Sequence, residues 1–443
     1  MRLQPPTGME DCLPERVPLF RFIEATAREV FDLYGFQEIR TPIFEYTSLF
    51  SRAVGETTDI VEKEMYTFES EREDSLTLRP ELTAPVVRCV LGNSLLVKKP
   101  FQKLWYFGPV FRKERPQKGR LRQFHQIGAE CLGGYDPLID VETIALLANF
   151  LDRLGLSQFD IRVNSIGCPV CRAGYREVLR GFFGPRRAEL CPNCNARFDR
   201  NVFRILDCKA EGCAKVAAGF PPIEGHLCEA CTTHLAGLKE GLATAGIRYA
   251  LDPKLVRGFD YYTKTVYEFK YPGLGAQDAI AGGGRYDNLI EEMGGPKAGA
   301  VGFGIGVERV VIALEETTKV DPSKVLSTAV PDFFVVTVSA ELRAKGFELL
   351  SRLRREGLGG DMEYEGRSMK GQMRSANRSA ARYALILGPD ELAKGVAKAK
   401  DMSNGGEREV ALADVAAFLR ERPILAAPSG PSDTRSGPAS PRP

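Results

Sequence analysis

Apolar residues recur at helical spacing between residues 18 and 34, where Phe20, Ile23, Ala27, Val30, Phe31 and Tyr34 fall on one face. That pattern predicts an amphipathic helix stopped by Gly35. A short strand-like run from Phe36 to Arg40 follows and ends at Pro42. Residues 102–113 and 123–132 read as two strands, paired as an antiparallel hairpin around the long basic loop ERPQKGRLR. Residues 138–154 read as a helix. Strand-like patterning returns at 255–270, followed by a glycine-rich segment, a helix and the stretch VGFGIGVERVVIAL. A polar, proline-containing linker is expected at 316–331. Beyond it, FFVVTVS (333–339), a helix, a segment near 361–366, a second helix, YALILG (383–388) and more helix alternate. Such alternation predicts a small α/β domain. The stretch 426–443 is rich in Pro, Ser and Gly and is expected to be disordered.

Composition narrows the class. A chain of 443 residues calls for more than one domain, and 44% hydrophobic with 27% charged residues is ordinary globular composition. No apolar run reaches the length of a membrane span. The opening MRLQPPTGMEDCLPER has prolines and charges where a signal peptide needs an apolar stretch, so a cytoplasmic location is expected. The net charge of +2 leaves nucleic-acid binding to a local patch. Eleven cysteines, several in CxxC pairs, favour metal ligation or free thiols over a disulfide framework.

Four stretches carry candidate chemistry. FRKERPQKGRLRQFHQIGAE (111–130) holds Arg112, Lys113, Arg115, Lys118, Arg120 and Arg122 within eleven residues, and a cationic loop between two strands suits a polyanion because guanidinium forks bind phosphate oxygens in pairs. In the strand that follows, Gln126, Gly128 and Glu130 alternate onto one face, and burying an amide and a carboxylate there is costly without a polar ligand. A solvated basic hairpin is the plainer alternative. RGFDYYT (257–263) places an Arg, an Asp and two Tyr inside a strand-like segment, which by itself could be an ordinary aromatic strand. AGGGRYD (281–287) allows close backbone approach to a ligand, although glycine-rich turns are common. VGFGIGVERV (301–310) alternates glycines along a strand and sets Arg309 near the start of the next helix, where dipole and guanidinium both favour phosphate.

Together these stretches resemble the class II aminoacyl-tRNA synthetases, and within them the histidyl-tRNA synthetase family. Residues 111–130 look like motif 2 of the class, 301–309 like motif 3, and the region 35–42 with its preceding helix like motif 1, which forms the dimer interface in the family. RGFDYYT and GGGRYDNL are similar to the two histidine-specific signatures, and LTLRPELTAP (76–85) also matches, with Leu82 where the family usually has Gly. The resemblance covers about residues 1–425. It implies an α+β catalytic core with an antiparallel sheet (1–165 and 241–322), a Cys-rich insertion (166–240) and a C-terminal α/β anticodon-binding domain (331–424). The implied activity is ATP-dependent activation of L-histidine and its transfer to tRNA(His) by a homodimer, with Mg2+ on the outer phosphates.

Roles follow position by position from that resemblance. Glu81 and Thr83 would hold the α-ammonium of histidine; Glu130, Tyr261 and Tyr262 would meet its ring. Arg112 would bind the α-phosphate and the substrate carboxylate, and Gln126 would lie near that carboxylate. Glu114, Arg115, Phe124 and Arg309 would line the ATP site. Arg257 would stabilise charge on the α-phosphate, work that a metal ion does in relatives. No residue stands out as a base for the transfer step, and His125 alternates to the opposite face of its strand.

The C-terminal stretch GRSMKGQMRSANRSAARYALILG resembles part of the family's anticodon-binding domain. Lys370, Arg374 and Arg378 fall four apart as a basic stripe for RNA, with Arg367 and Arg382 beside it, and Met369, Met373, Ala376 and Ala380 are expected on the buried side. A solvated basic face is the alternative. Cys168 with Cys171, Cys191 with Cys194, Cys208 with Cys213, and Cys228 with Cys231 form four pairs suited to one or two structural zinc sites, with His226 and His234 as spare ligands. Spacing leaves both their grouping and their occupancy open. Three rivals remain at this point: a regulatory paralogue, a non-catalytic tRNA sensor, and an adenylating enzyme with another acceptor. The regulatory paralogues usually lack the RGxDYY signature and the anticodon domain, and a sensor would be expected to lose the arginines at 112, 257 and 309, all present here.

Overall fold

The structure is a computed structural model that describes residues 3–55, 58, 60–69, 74–274, 278–317 and 331–421. Most of the expected linker and the whole of the 426–443 tail lie outside those residues. The chain divides into two compact units, one up to Leu326 and one from Ser327.

The first unit is built on an eight-stranded sheet. Across it run Gln37–Glu38, Gln102–Phe111, Gln123–Leu132, Ala300–Gly306, Ala279–Arg285, Thr263–Lys270, Asp160–Ser165 and Ala250–Leu251. The two outermost pairs are parallel and all the inner pairs antiparallel. The hairpin 102–132 forms as its patterning predicts, in unbroken register from Gln102↔Leu132 to Phe111↔Gln123.

Strand alternation divides the sheet into a dry face and a wet one. Trp105, Ile127, Ala129, Phe303 and Phe269 point to one side, where they pack with Leu19, Ile23, Val30 and Phe31 of helix Val17–Leu33 and Ile144, Leu147 and Phe150 of helix Pro137–Arg153. Burying each Leu, Ile, Val or Phe side chain there stabilises the fold by roughly 1.5–3 kcal/mol. The other face carries Tyr106, Gln126, Gly128, Glu130 and the strand glycines towards a cavity.

One expectation needs correction. The strand expected over 255–270 begins only at Thr263, and residues 257–262 form an irregular turn. A strand would send Tyr261 and Tyr262 to opposite faces, whereas the turn brings both to the same cavity as Arg257. The glycine-rich 281–284 lies within a central strand of the sheet.

The cysteine-rich insertion is helical. Helices Pro169–Phe183, Pro192–Arg200 and Glu211–Val216 enclose a core of their own around Tyr175, Leu179, Phe183, Phe203 and Val216. Helix Glu229–Thr244 returns the chain along helix Pro137–Arg153.

The second unit has a five-stranded sheet in the order Gly360–Met362, Phe333–Thr337, Tyr383–Leu387, Val396–Asp401, Glu407–Ala411. The first three strands are parallel and the last two antiparallel; helix Pro389–Ala393 follows YALILG as patterning suggested, whereas the two strands after it were not expected. Phe333 and Val335 face one core, Phe334 and Val336 another, so both sides of the sheet are covered. Helix Met369–Arg378 buries Gln372 and Ala376, with Met373 partly buried; Met369 is exposed, and Ala380 lies beyond the helix at φ +56°. The buried amide is tolerated because Gln372 accepts from the Thr337 amide and donates to the Thr337 and Arg367 carbonyls, each at 2.9 Å.

Candidate functional site

On the wet face a cavity of about 320 Å³ opens over the sheet. Its floor exists because neighbouring strands offer glycines at matching positions. Gly128, Gly304 and Gly282 stand opposite one another, as do Glu130, Gly302 and Gly284. A Cβ at Gly302 would overlap the Glu130 carboxylate, one at Gly304 the Gln126 amide, and one at Gly282 the Arg257 guanidinium. The alternating glycines therefore admit long polar side chains across the sheet.

Glu130 lies fully buried in this floor. Its carboxylate accepts from the hydroxyls of Thr83 at 2.7 Å, Tyr106 at 3.0 Å, and Tyr286. Burial pushes its carboxyl up to about 8, against the pull of those three hydroxyls. Beside it Glu81 accepts from the backbone amides of Thr83 at 2.6 Å and Ala84 at 2.9 Å. These are the orphan donors at the start of helix Thr83–Gly92, so the carboxylate caps the helix while facing the cavity. Burial raises the Glu81 carboxyl as well.

The turn 257–262 forms one wall. Phe259 and Tyr261 stack at 5.1 Å between ring centroids, and Tyr261 meets Tyr262 at 4.7 Å and Tyr286 at 5.5 Å. Arg257 reaches over Gly282 and pairs with Glu268 at 3.2 Å. The motif-2-like hairpin supplies the opposite wall. Arg112 donates to the Pro80 carbonyl at 2.8 Å and lies 5.3 Å from the Phe124 ring centroid, and Glu114 pairs with Arg120 at 3.1 Å. Arg309, in the first turn of helix Val307–Thr317, donates to the Gly119 carbonyl at 3.1 Å and to that of Ala279.

The cavity thus gathers four guanidinium groups, those of Arg112, Arg120, Arg257 and Arg309. Such a cluster is stable when an anion neutralises it. Two buried polar atoms facing it, Gln126 Oε1 and Arg257 Nε, have no hydrogen-bond partner among the described residues. Orphans of this kind mark where a polar ligand completes the network.

Of the residues predicted from sequence, Glu81, Thr83, Arg112, Glu114, Phe124, Gln126, Arg257, Tyr261, Tyr262 and Arg309 line this one cavity. Glu130 lies beneath its surface, and Arg115 is exposed on the loop outside it, where Arg120 takes the place beside Glu114. Sequence reasoning missed Tyr286, Glu268 and Arg120 as wall residues. Tyr286 was legible, being inside the signature GGGRYDNL, but nothing local marks Glu268. Arg285 of that signature instead pairs with Asp140 and Asp287 in the protein interior. His125 faces away, held by Glu308 at 2.9 Å and stacked on Phe107.

The eight cysteines form two groups, Cys168, Cys171, Cys228 and Cys231 in one and Cys191, Cys194, Cys208 and Cys213 in the other. Sulfur–sulfur distances of 3.6 Å (Cys168–Cys171), 3.9 Å (Cys168–Cys228) and 3.9 Å (Cys191–Cys208) match the edge of about 3.8 Å that a tetrahedral zinc tetrathiolate requires. Cys168, Cys191 and Cys228 each precede the first residue of a helix, and amides turn onto the sulfurs, as from Cys228 to Cys171 at 3.1 Å. The amides of Cys194 and Cys231 help to hold the Cys191 and Cys228 thiols down to about 7. Neither histidine joins a cluster: His226 leans on Tyr175 and His234 faces Asp140.

In the second unit Lys370, Arg374 and Arg378 are all exposed along one helix, while Arg367 pairs with Glu363 and Glu365 and Arg382 with Asp332.

The sequence matches the family described as histidyl-tRNA synthetase over residues 8–169 and 214–310, and the anticodon-binding domain over 332–422. Histidine–tRNA ligase from Moorella thermoacetica is 49% identical over 416 residues, covering 94% of this chain and 97% of that protein. The ligase from Syntrophotalea carbinolica is 45% identical over 415 residues, with 94% and 97% covered. Among solved structures, apo histidyl-tRNA synthetase of S. aureus superposes with a TM-score of 0.78 at 33% identity, covering 94% of this chain and all of that one.

Proposed function

The chain belongs to the histidyl-tRNA synthetase family, and from that premise we propose how its own residues carry the reaction. The activity is ATP-dependent activation of L-histidine to histidyl-adenylate, followed by transfer to tRNA(His) with release of AMP and diphosphate. The observation that carries the assignment of the site is the single cavity joining four guanidiniums to a buried carboxylate–hydroxyl floor.

In this reading the histidine ammonium lies against Glu81 and Thr83, and its ring lies between Glu130 and the Tyr261–Tyr262 pair. Phe124, with Arg112 over its face, meets the adenine. MgATP enters as substrate, its outer phosphates against Arg309 and the Arg120–Glu114 pair. A carboxylate oxygen of histidine attacks the α-phosphorus. The bond to the bridging oxygen breaks, and diphosphate departs with the electron pair. Arg112 and Arg257 face the negative charge that develops, and fixed cations there need no reorganisation as it grows. In the second step the ribose hydroxyl of the tRNA attacks the acyl carbon and AMP leaves. His125 faces away from the cavity, so a phosphate oxygen of the adenylate takes the hydroxyl proton. A pocket that hydrogen-bonds both imidazole nitrogens leaves buried groups unpaired with other amino acids, which supplies selectivity.

The anticodon-binding unit meets tRNA through Lys370, Arg374 and Arg378, the exposed basic stripe. A homodimer is part of the proposal, supported by the exposed Ile43, Phe44, Tyr46 and Phe68 beside the motif-1-like segment. No helix among the described residues is long and apolar enough to cross a membrane, and we place the enzyme in the cytoplasm, where its substrates are. The two cysteine clusters fit structural zinc, which contributes to folding and not to the adenylation chemistry.

The test is histidine-dependent ATP–pyrophosphate exchange with wild type and Arg257→Ala compared. Exchange supported by histidine alone among the amino acids, and reduced about 100- to 1000-fold in the variant, is expected for loss of a transition-state cation. Undiminished exchange in Arg257→Ala removes that residue from the mechanism.

A further inference from the structure

The turn 257–262 presents Arg257, Tyr261 and Tyr262 to the cavity, yet its irregular backbone forms no strand ladder of its own. What holds it comes in part from the cysteine-rich insertion. Arg172, one residue after Cys171, donates from a single nitrogen, Nη1, to the carbonyls of Asp260 at 3.1 Å and Tyr262 at 3.2 Å. Its guanidinium lies 5.6 Å from the Phe203 ring centroid of the insertion core.

Arg172 is in turn placed by the first cysteine cluster. Its amide closes the first helical turn onto the Cys168 carbonyl at 2.9 Å, so its backbone lies between two ligands of one candidate metal site and the helix they begin. The same segment is sewn to the far end of the turn, with Ile166 donating to the Lys264 carbonyl at 2.7 Å and the Lys264 amide to the Gly167 carbonyl at 2.8 Å. Gly167 has φ +69°, and a Cβ there would meet Cys171 at 2.5 Å, so the chain passes from the sheet into the cluster with no slack.

We propose that Arg172 is a positioning residue for histidine recognition, and that metal bound by Cys168, Cys171, Cys228 and Cys231 fixes where it stands. This rests on reading the cavity as the histidine site and the clusters as zinc sites. Arg172 touches no substrate. It holds the two carbonyls that flank Tyr261, whereas Arg257 has an independent anchor in Glu268 at 3.2 Å. Losing Arg172 therefore loosens the wall formed by the tyrosines more than it displaces the cation.

The experiment compares wild type, Arg172→Ala, Arg172→Lys and Cys231→Ser in ATP–pyrophosphate exchange, with zinc per chain measured by mass spectrometry on each purified protein. Arg172→Ala is expected to keep two zinc ions per chain, matching the two clusters. Its KM for histidine should rise about tenfold, equivalent to about 1.4 kcal/mol, with KM for ATP unchanged and kcat within about threefold. Because one nitrogen serves both carbonyls, Arg172→Lys should recover most of the loss. Cys231→Ser should retain one zinc and raise the histidine KM in the same way. An unchanged histidine KM in Arg172→Ala overturns the positioning role. A normal histidine KM in Cys231→Ser that has lost a zinc overturns the coupling to the metal. Wild-type protein free of zinc sinks the metal reading while leaving the Arg172 comparison decisive, and wild type without histidine-dependent exchange sinks the reading of the cavity itself.

Discussion

Replacing Glu130 with Gln removes a titration that the structure makes costly. The carboxyl is fully buried, receives three hydroxyl donors and is pushed up to about 8. In the unfolded chain a Glu titrates near its ordinary value of about 4.3. Between those two values the folded protein binds a proton that the unfolded chain does not, so its stability falls as pH rises. This contribution is fully present below the unfolded value and is lost as pH passes the folded one. The slope approaches about 1.4 kcal/mol per pH unit, and between about pH 6 and about pH 8 the loss comes to roughly 2 kcal/mol. Glutamine keeps the shape and can be served by the same hydroxyls, which rotate to donate or accept. The assay is urea unfolding at several pH values, followed through Trp105, the single tryptophan, which is fully buried next to Tyr106 in the sheet under the cavity. Wild type should lose about 2 kcal/mol more than Glu130→Gln over that interval. Parallel pH dependence in the two proteins would mean that Glu130 titrates normally and that the hydroxyl cage holds it ionised.

Gly304→Ala puts a methyl onto the Gln126 amide, and displacing that side chain from the cavity should lower kcat/KM in exchange by about 100-fold with little change in unfolding midpoint. Asp140→Ala strips the buried Arg285 of its main counter-ion and should cost about 3–5 kcal/mol by urea titration, whereas a loss below about 1 kcal/mol would show that Asp287 alone suffices. The triple change of Lys370, Arg374 and Arg378 to Ala should raise KM for tRNA(His), and the slope of log affinity against log salt should shrink by about 0.7–0.9 for each phosphate left without its cation.

Much of the molecule was legible from periodicity alone. The helix Val17–Leu33, the hairpin 102–132 and the alternating glycines of 300–306 are each a local pattern whose geometry follows from 3.6- or two-residue repetition. Motif spacing also identified most of the cavity walls, because those residues cluster in a few short stretches of sequence.

What the sequence left open depends on which segments meet. Helix-like and strand-like patterns do not say that 257–262 must break from its strand so that both tyrosines reach one side. Nor does spacing reveal that Cys168 and Cys171 join Cys228 and Cys231, some 60 positions on, around an inner group of four. The cage around Glu130 comes from Thr83, Tyr106 and Tyr286, on three separate elements, and Glu268 joins Arg257 only because strand Thr263–Lys270 lies beside the turn. Backbone sterics and hydrophobic repeats act over a few residues and are therefore written locally. Burial, counter-ion pairing and thiol grouping arise only when the sheet closes and brings distant side chains within a few ångströms of one another.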